Sequence, residues 1–296
     1  MCNTVLLTGA SGFIGKALTF FLEKKGYKVV SCPRKILLDE KLVTVKNSEN
    51  SAFEGLVAVI HLAGESLSNG IFWTKRKKKA ILKSRVDGTQ NLVHWIAQLR
   101  CPPRVFISAS AVGYYGDRQR EILSEDSSVG KGFLPFVCKQ WEEASFPLKA
   151  LSIRVVYARL GYVLSLRGGL LKSLIPLFRF GLGGKIGGGQ QFVPWVMLED
   201  VLRVFAYIIE TESIQGAVNV VAPHPVTQEV FAKELARTLR VPCFFSVPKW
   251  LLWGEKSKTL CLPSLQVIPY KLEQKYSFVF AFPELKMALQ KLFRLR

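Results

Sequence analysis

The sequence predicts a doubly wound α/β fold, a parallel sheet flanked by helices over residues 1–240, with a small C-terminal subdomain over residues 241–296. Three observations predict it. Short apolar runs of strand length alternate with longer amphipathic stretches. The first apolar run passes directly into a glycine-rich turn, "TGASGFIG", that opens an amphipathic run. After Val241 the alternation gives way to an irregular stretch with prolines at 242, 248, 263, 269 and 283.

The elements follow in order. "TVLLTG" reads as a strand, Gly15–Lys25 as a helix, and "YKVVSC", after the break at Gly26, as a second strand. "LVAVIHLAG" is an apolar run ending at Gly64, which fits a buried parallel strand. From Lys75 to Leu99 a helix is expected, because Ile81, Leu82, Val86, Leu92, Val93 and Ile96 share one face. Pro102 and Pro103 then break the chain before the strand "RVFISAS". "LPFVCKQWEEAS" is the next helix, and "LKALSIRVVYARLG" leads into a further strand. The glycine-rich "GLGGKIGGGQQFVPWV" runs into the helix "MLEDVLRVFAYIIE". "AVNVVAPHPVTQEVFAKELARTL" supplies a strand, a proline-marked loop and a helix capped by Thr227.

Composition narrows the function classes. The net charge is +19, much of it in "KRKKK" (Lys75–Lys79) and the terminal "KLFRLR". A nucleic-acid binder would interleave its basic face with exposed aromatics or carry a known binding module. Neither is present, so the basic run reads as a solvated helix face and no specific nucleic-acid partner is expected. No apolar stretch approaches the roughly 18 residues of a membrane span. Val5–Thr8 already reads as a strand, so no secretory leader is expected. The six cysteines are scattered without a C-x-x-C pair, as in reduced cytoplasmic proteins. His61, His94 and His224 are isolated, and no metal site is expected.

In "TGASGFIG" the three glycines have separate tasks. Gly9 allows the tight turn out of the strand, Gly12 lets the backbone approach a pyrophosphate, and Gly15 lets helix and sheet pack closely. Free N–H groups at the helix start, with the helix dipole behind them, would hold the phosphates. An NAD site would place Asp or Glu at the end of the second strand, about 20 residues on. This chain has "SCPRK" there and no carboxylate before Asp39. Arg34 can fork onto a 2′-phosphate, with Lys35 beside it, which favours NADP(H); as a plain surface cation it would carry no such preference.

With "HLAG", "SRVDGTQNL" and "ISASAVGYYG" in sequence, the chain resembles the extended short-chain dehydrogenase/reductase superfamily, the nucleotide-sugar epimerase-like proteins with an NAD(P)-binding Rossmann fold. It resembles more closely an atypical subgroup, the YfcH-like or SDR39U-type epimerase family proteins. The residues that carry this likeness are "AGESL", "SRVDGT", "SASAVGYYG", "GLGGKIGGGQQFVPWV", "NVVAPHPVTQEVFAKEL" and "VIPYKL" with "YSFVFAFPELKMAL". By position, the resemblance implies cofactor contacts at Gly9, Gly12, Phe13, Ile14, Gly15, Arg34, Leu62, Ala63, Gly64 and Arg85. It places Ala109 and Ser110 beside the nicotinamide and Arg159 to Gly161 along the cofactor's far side. Ser110 falls where the family has its catalytic Ser/Thr.

The family's proton relay is Tyr-x-x-x-Lys, and none of the eight tyrosines here has Lys four residues on. Set on the helix "FLPFVCKQWEEA", the two places fall at Phe136 and Gln140, neither of which can relay a proton. Tyr114 and Tyr115, close after Ser110, are substitute candidates, as are Lys139 and Glu65. Gln191, Phe192, Pro194, Trp195 and the C-terminal subdomain are expected to wall the substrate side. The expectation is an NADP(H)-dependent oxidoreductase or epimerase-like protein acting on a small molecule. The alternative is a catalytically inactive NADP(H)-binding regulatory module.

Overall fold

The computed structural model describes residues 3–32, 37, 53–67, 72–248 and 259–294. Arg34 and Lys35 lie outside the described residues. Six strands form the main sheet: β1 (Thr4–Thr8), β2 (Lys28–Cys32), β3 (Ala58–His61), β4 (Val105–Ala111), β5 (Arg154–Leu160) and β6 (Gly216–Val220). Their order is β6-β5-β4-β3-β1-β2, and every neighbouring pair is parallel. All of β3 is buried, as is β4 apart from its last residue, Ala111. Burial on both faces explains why Ala58–Ile60 of β3 and Val105–Ile107 of β4 read as continuous apolar runs rather than as an alternation.

Successive residues of β1 feed opposite cores. Val5 and Leu7 join Leu18 and Leu22 of helix α1 (Phe13–Lys24) on one face. Leu6 joins Leu92, Val93 and Ile96 of helix α2 (Lys75–Ile96) on the other. This two-residue period is what a sheet covered on both sides demands. The first helix starts two residues before the expected Gly15, with Gly12 in extended backbone as its N-cap. Helix α2 is capped by Thr74, whose hydroxyl accepts from the Lys77 N–H at 3.1 Å.

Among the described residues, five further helices of ten residues or more follow: α3 (Phe133–Glu143), α4 (Gly169–Arg179), α5 (Leu198–Glu210), α6 (Gln228–Leu239) and α7 (Leu285–Arg294). Helix α5 packs on the α1 face through Val201, Phe205 and Ile208. Thr227 caps α6 as its sequence predicts, accepting from the Val230 N–H. A separate core holds Leu171 and Phe178 of α4, Phe231 and Leu235 of α6, and Leu285 and Leu289 of α7. Residues on either side of position 240 thus share one cluster. Gln266–Val267 pairs with Ile122–Leu123, which ties the C-terminal region to the loop after β4. Among the described residues, no helix is long and apolar enough to cross a membrane.

His61, fully buried at the end of β3, stacks against Phe106 and places Nδ1 2.7 Å from Thr8 Oγ1. Burial, helped by the nearby Arg85 charge, lowers its pKa from 6.5 to about 4. A folded-state pKa below the unfolded one means that the unfolded chain binds the extra proton first. The contribution is therefore complete above pH 6.5 and is lost as the pH falls toward 4, roughly 3 kcal/mol in all. Urea unfolding at pH 7 and pH 4 should show a smaller acid loss for His61→Gln than for the native chain. Equal losses would remove His61 from the acid response.

Candidate functional site

A cavity of about 730 Å³ opens at the carboxyl ends of the strands. The strand order reverses between β3 and β1, and open α/β sheets bind ligands at such a switch point. Gly9, Gly12, Phe13, Ile14 and Gly15 line one end, with Leu62 beyond β3 and Gly161 beyond β5. Ala109 and Ser110 line it from the end of β4, and Arg85 reaches it from α2. Ten of the residues named from the sequence are thus brought to one cavity: Gly9, Gly12, Phe13, Ile14, Gly15, Leu62, Arg85, Ala109, Ser110 and Gly161.

The cradle leaves no room for side chains at two of its glycines. Gly9 has φ +74°, and a Cβ on it would lie 2.9 Å from the Ala63 nitrogen. A Cβ on Gly15 would lie 2.1 Å from the Gly9 carbonyl oxygen. The N-terminus of α1 has no side-chain cap and no acidic residue in its first turn. Its unpaired N–H groups and dipole are therefore available to an anion in the cavity, and the residues present suit a pyrophosphate.

Ala63 and Gly64 support this wall without lining it. The Ala63 N–H donates to Thr8 Oγ1 at 3.3 Å. Gly64 makes way for Arg85, because a Cβ there would sit 3.3 Å from the guanidinium carbon. Arg85 Nη1 donates to the carbonyls of Glu65 (3.0 Å) and Ile81 (3.3 Å), and the guanidinium lies 5.0 Å from the centre of the Trp141 ring. Its charge is thus tied to the loop after β3.

Behind the cavity wall lies a buried polar network. Ser110 Oγ donates to Glu142 Oε1 at 2.7 Å. Arg159 grips the same carboxylate with two bonds, Nε to Oε1 and Nη2 to Oε2, both at 2.9 Å. Arg159 Nη1 also donates to the Tyr115 hydroxyl at 2.9 Å, and Tyr115 donates onward to Asn219 Oδ1. Arg159, expected along the cofactor's far side, therefore turns inward, drawn by Glu142. Burial opposes its charge, but the hydrogen-bonded Glu142 carboxylate holds its pKa above the ordinary arginine value. Because a carboxylate paired with arginine has no proton to give, Ser110 must spend its only proton on Glu142. Toward the cavity Ser110 is then solely an acceptor.

The face that α3 turns to the cavity differs from the expected one. Phe136 is 51% exposed, and Gln140 donates to Glu143. Leu134 and Cys138, four residues apart, line the cavity instead, and Glu142 continues the same row to Ser110. The register inferred from the sequence is therefore two residues off. Neither corrected place carries an ordinary acid–base group: one is leucine, and burial pushes the Cys138 thiol up to about 12, with Glu142 adding to the shift.

The substitute acids are not brought to the cavity either. Tyr114 is covered by the Arg159 guanidinium, 3.6 Å from its ring centre. Tyr115 is fully buried, which pushes its hydroxyl up to about 12. Lys139 is exposed on α3, 3.7 Å from Glu143, and Glu65 accepts from Lys77 at 2.6 Å. Trp195 is packed into the α4–α6–α7 core, and Gln191, Phe192 and Pro194 do not line the cavity. The outer wall comes from Tyr162 and from Thr259, Leu260, Pro263 and Leu265 of the C-terminal region. Sequence reasoning named only the region for these last residues. Tyr162 donates its hydroxyl to the Leu260 carbonyl at 2.6 Å and so holds that region against the sheet.

A parallel sheet with a glycine cradle at its switch point defines the NAD(P)-binding Rossmann class. The comparisons with known proteins agree. The NAD dependent epimerase/dehydratase family matches residues 5–135. The chain is 33% identical to the epimerase family protein YfhF of Bacillus subtilis, over 97% of each chain. It is 34% identical to the epimerase family protein SDR39U1 of Bos taurus, over 97% of this chain and 98% of that one. The crystal structure of human epimerase family protein SDR39U1 (isoform 2) with NADPH superposes with a TM-score of 0.88 at 30% identity, over 98% of this chain and 99% of that one. The chain belongs to this SDR39U1-type epimerase family.

Proposed function

We propose that the chain binds NADP(H) in the glycine cradle and acts as an NADP(H)-dependent oxidoreductase or epimerase-like protein on a small molecule, without a Tyr-x-x-x-Lys pair. The observation that carries this reading is one continuous cavity, running from the cradle past Ala109 and Ser110 to a chamber under Leu260. The human relative's structure with NADPH supports the choice of cofactor, as does the basic pair Arg34–Lys35 in "SCPRK", the stretch that begins at the end of β2. The nicotinamide, when bound, supplies a hydride acceptor or donor. Gly9, Gly12 and Gly15 admit the pyrophosphate, the start of α1 opposes its charge, and Ser110 accepts a hydrogen bond near the reacting end. The five described cysteines are free thiols, which suits a reducing, cytoplasmic setting.

One observation favours the second reading, a regulatory NADP(H)-binding module: the cavity row of α3 offers Leu134 and Cys138 where a proton relay would stand. Nicotinamide fluorescence separates the two. Tight NADPH binding, followed by its oxidation with any member of a carbonyl panel, establishes the enzyme. Tight binding with no oxidation across the panel favours the module. Arg34→Ala is expected to weaken NADPH at least about tenfold while leaving NADH within about twofold, as loss of a charge-assisted phosphate contact requires. Equal losses for both cofactors would remove the 2′-phosphate assignment.

A further inference from the structure

The chamber beyond Ser110 is a different chemical environment from the cradle. Leu67, Val112, Phe133, Leu134, Val137 and Leu260 turn hydrocarbon toward it. Among the described residues, the charged groups lining the whole cavity are Arg85, Asp117 and Lys131. Arg85 is bound to the Glu65 and Ile81 carbonyls and lies against Trp141. The Asp117 carboxylate accepts from the Ser264 N–H at 3.1 Å and the Gln119 N–H at 3.2 Å, and its charge would repel a phosphate. Lys131 sits on the exposed rim.

A nucleoside diphosphate placed here would lose water around its charges and meet leucine, valine and phenylalanine in return. Burying charge without a charge-assisted partner is strongly unfavourable. An uncharged apolar molecule meets the opposite balance, because its own surface and the chamber wall leave water together. The polar group at the junction adds a second condition. Ser110 gives its proton to Glu142, so a ligand reaching it must bring a donor.

We propose that this chamber takes a neutral, largely apolar small molecule carrying a single hydroxyl or N–H that donates to Ser110 Oγ, and not a nucleotide-linked sugar. The inference rests on the cofactor reading for the position of the nicotinamide beside Ser110, and on the chamber wall alone for the class of ligand.

The test uses N-phenyl-1-naphthylamine, a neutral, apolar amine whose fluorescence rises on leaving water, titrated into the full chain with saturating NADP⁺ and again without it. Saturable one-site binding is expected, with at least about a tenfold loss of affinity in Leu134→Gln and in Leu260→Gln. UDP-glucose should neither displace the probe nor give a binding heat. Displacement by UDP-glucose overturns the proposal, and so does probe affinity unchanged in both variants. If one variant fails to fold, the other decides. NADPH fluorescence is read separately on the native chain. Failure of NADPH to bind would overturn the cofactor reading, while the probe titration of the cofactor-free chain still decides the class of chamber ligand.

Discussion

Glu142→Ala should destabilise the fold by about 3–5 kcal/mol, the usual result of removing one partner from a buried ion pair. The expectation comes from what is left behind. The Glu142 and Arg159 side chains are only 9% and 5% exposed, and Arg159 would keep a full charge with Nε and Nη2 unpaired. Ser110 would lose its acceptor at the same time. Equilibrium unfolding in urea measures the loss. A change within about 1 kcal/mol of the native chain, the range of exposed pairs, would mean that water reaches this carboxylate. The double replacement Glu142→Leu with Arg159→Met should be milder than Glu142→Ala alone, because it removes both charges rather than stranding one. The penalty that remains should reflect the Tyr115 hydroxyl and the Glu125 carbonyl, which also lose Arg159 as a donor.

That network marks where sequence reasoning stopped. The strand–helix alternation was legible because burial on both faces leaves short apolar runs, Ala58–Ile60 in β3 and Val105–Ile107 in β4. The cradle was legible because Gly9, Gly12 and Gly15 answer local steric demands at a fixed spacing. The partners of Glu142 lie 32 residues upstream and 17 downstream, on two adjacent strands, and nothing local specifies either contact. The face of α3 failed for a related reason. Its apolar residues surround much of the helix, so Phe136 and Leu134 were both plausible cavity residues until packing against Gly113 and α2 chose between them. One signal could have found the true row. Leu134, Cys138 and Glu142 recur every four residues, and a carboxylate beginning the next turn of a cavity-facing row needs a buried partner.

The chamber wall shows the same division between local and distant information. Gln191 to Trp195 are rich in aromatic and polar types, which suggests recognition, but Trp195 is 1% exposed and serves the core around α4, α6 and α7. Leu260, Pro263 and Leu265 carry no motif and reach the cavity because the C-terminal region folds back across the end of the sheet. Such a contact is set by topology, and a residue type cannot announce it.

Gly12→Val is expected to lower NADPH and NADH affinity by at least about 100-fold, near 2.7 kcal/mol, while the protein stays folded. The two halves of this expectation have separate causes. Gly12 is extended, with φ −74° and ψ 173°, a backbone that any residue adopts. A Cβ there would meet only the Gly9 carbonyl oxygen, at 3.1 Å, a contact relieved by a small shift. The fold therefore has little reason to object. The cavity does, because Gly12 lines it at the N-terminus of α1, where the pyrophosphate must approach the backbone. The two branches of valine would stand in that space and cover the N–H groups that oppose the phosphate charge. Gly15→Val is the informative contrast: its Cβ would lie 2.1 Å from the Gly9 carbonyl oxygen, so the turn itself must open and stability should fall along with binding. Circular dichroism melting beside the fluorescence titration separates the two variants. Native-like affinity in Gly12→Val would mean that the glycine turn serves the fold alone and that the dinucleotide, if bound, lies elsewhere.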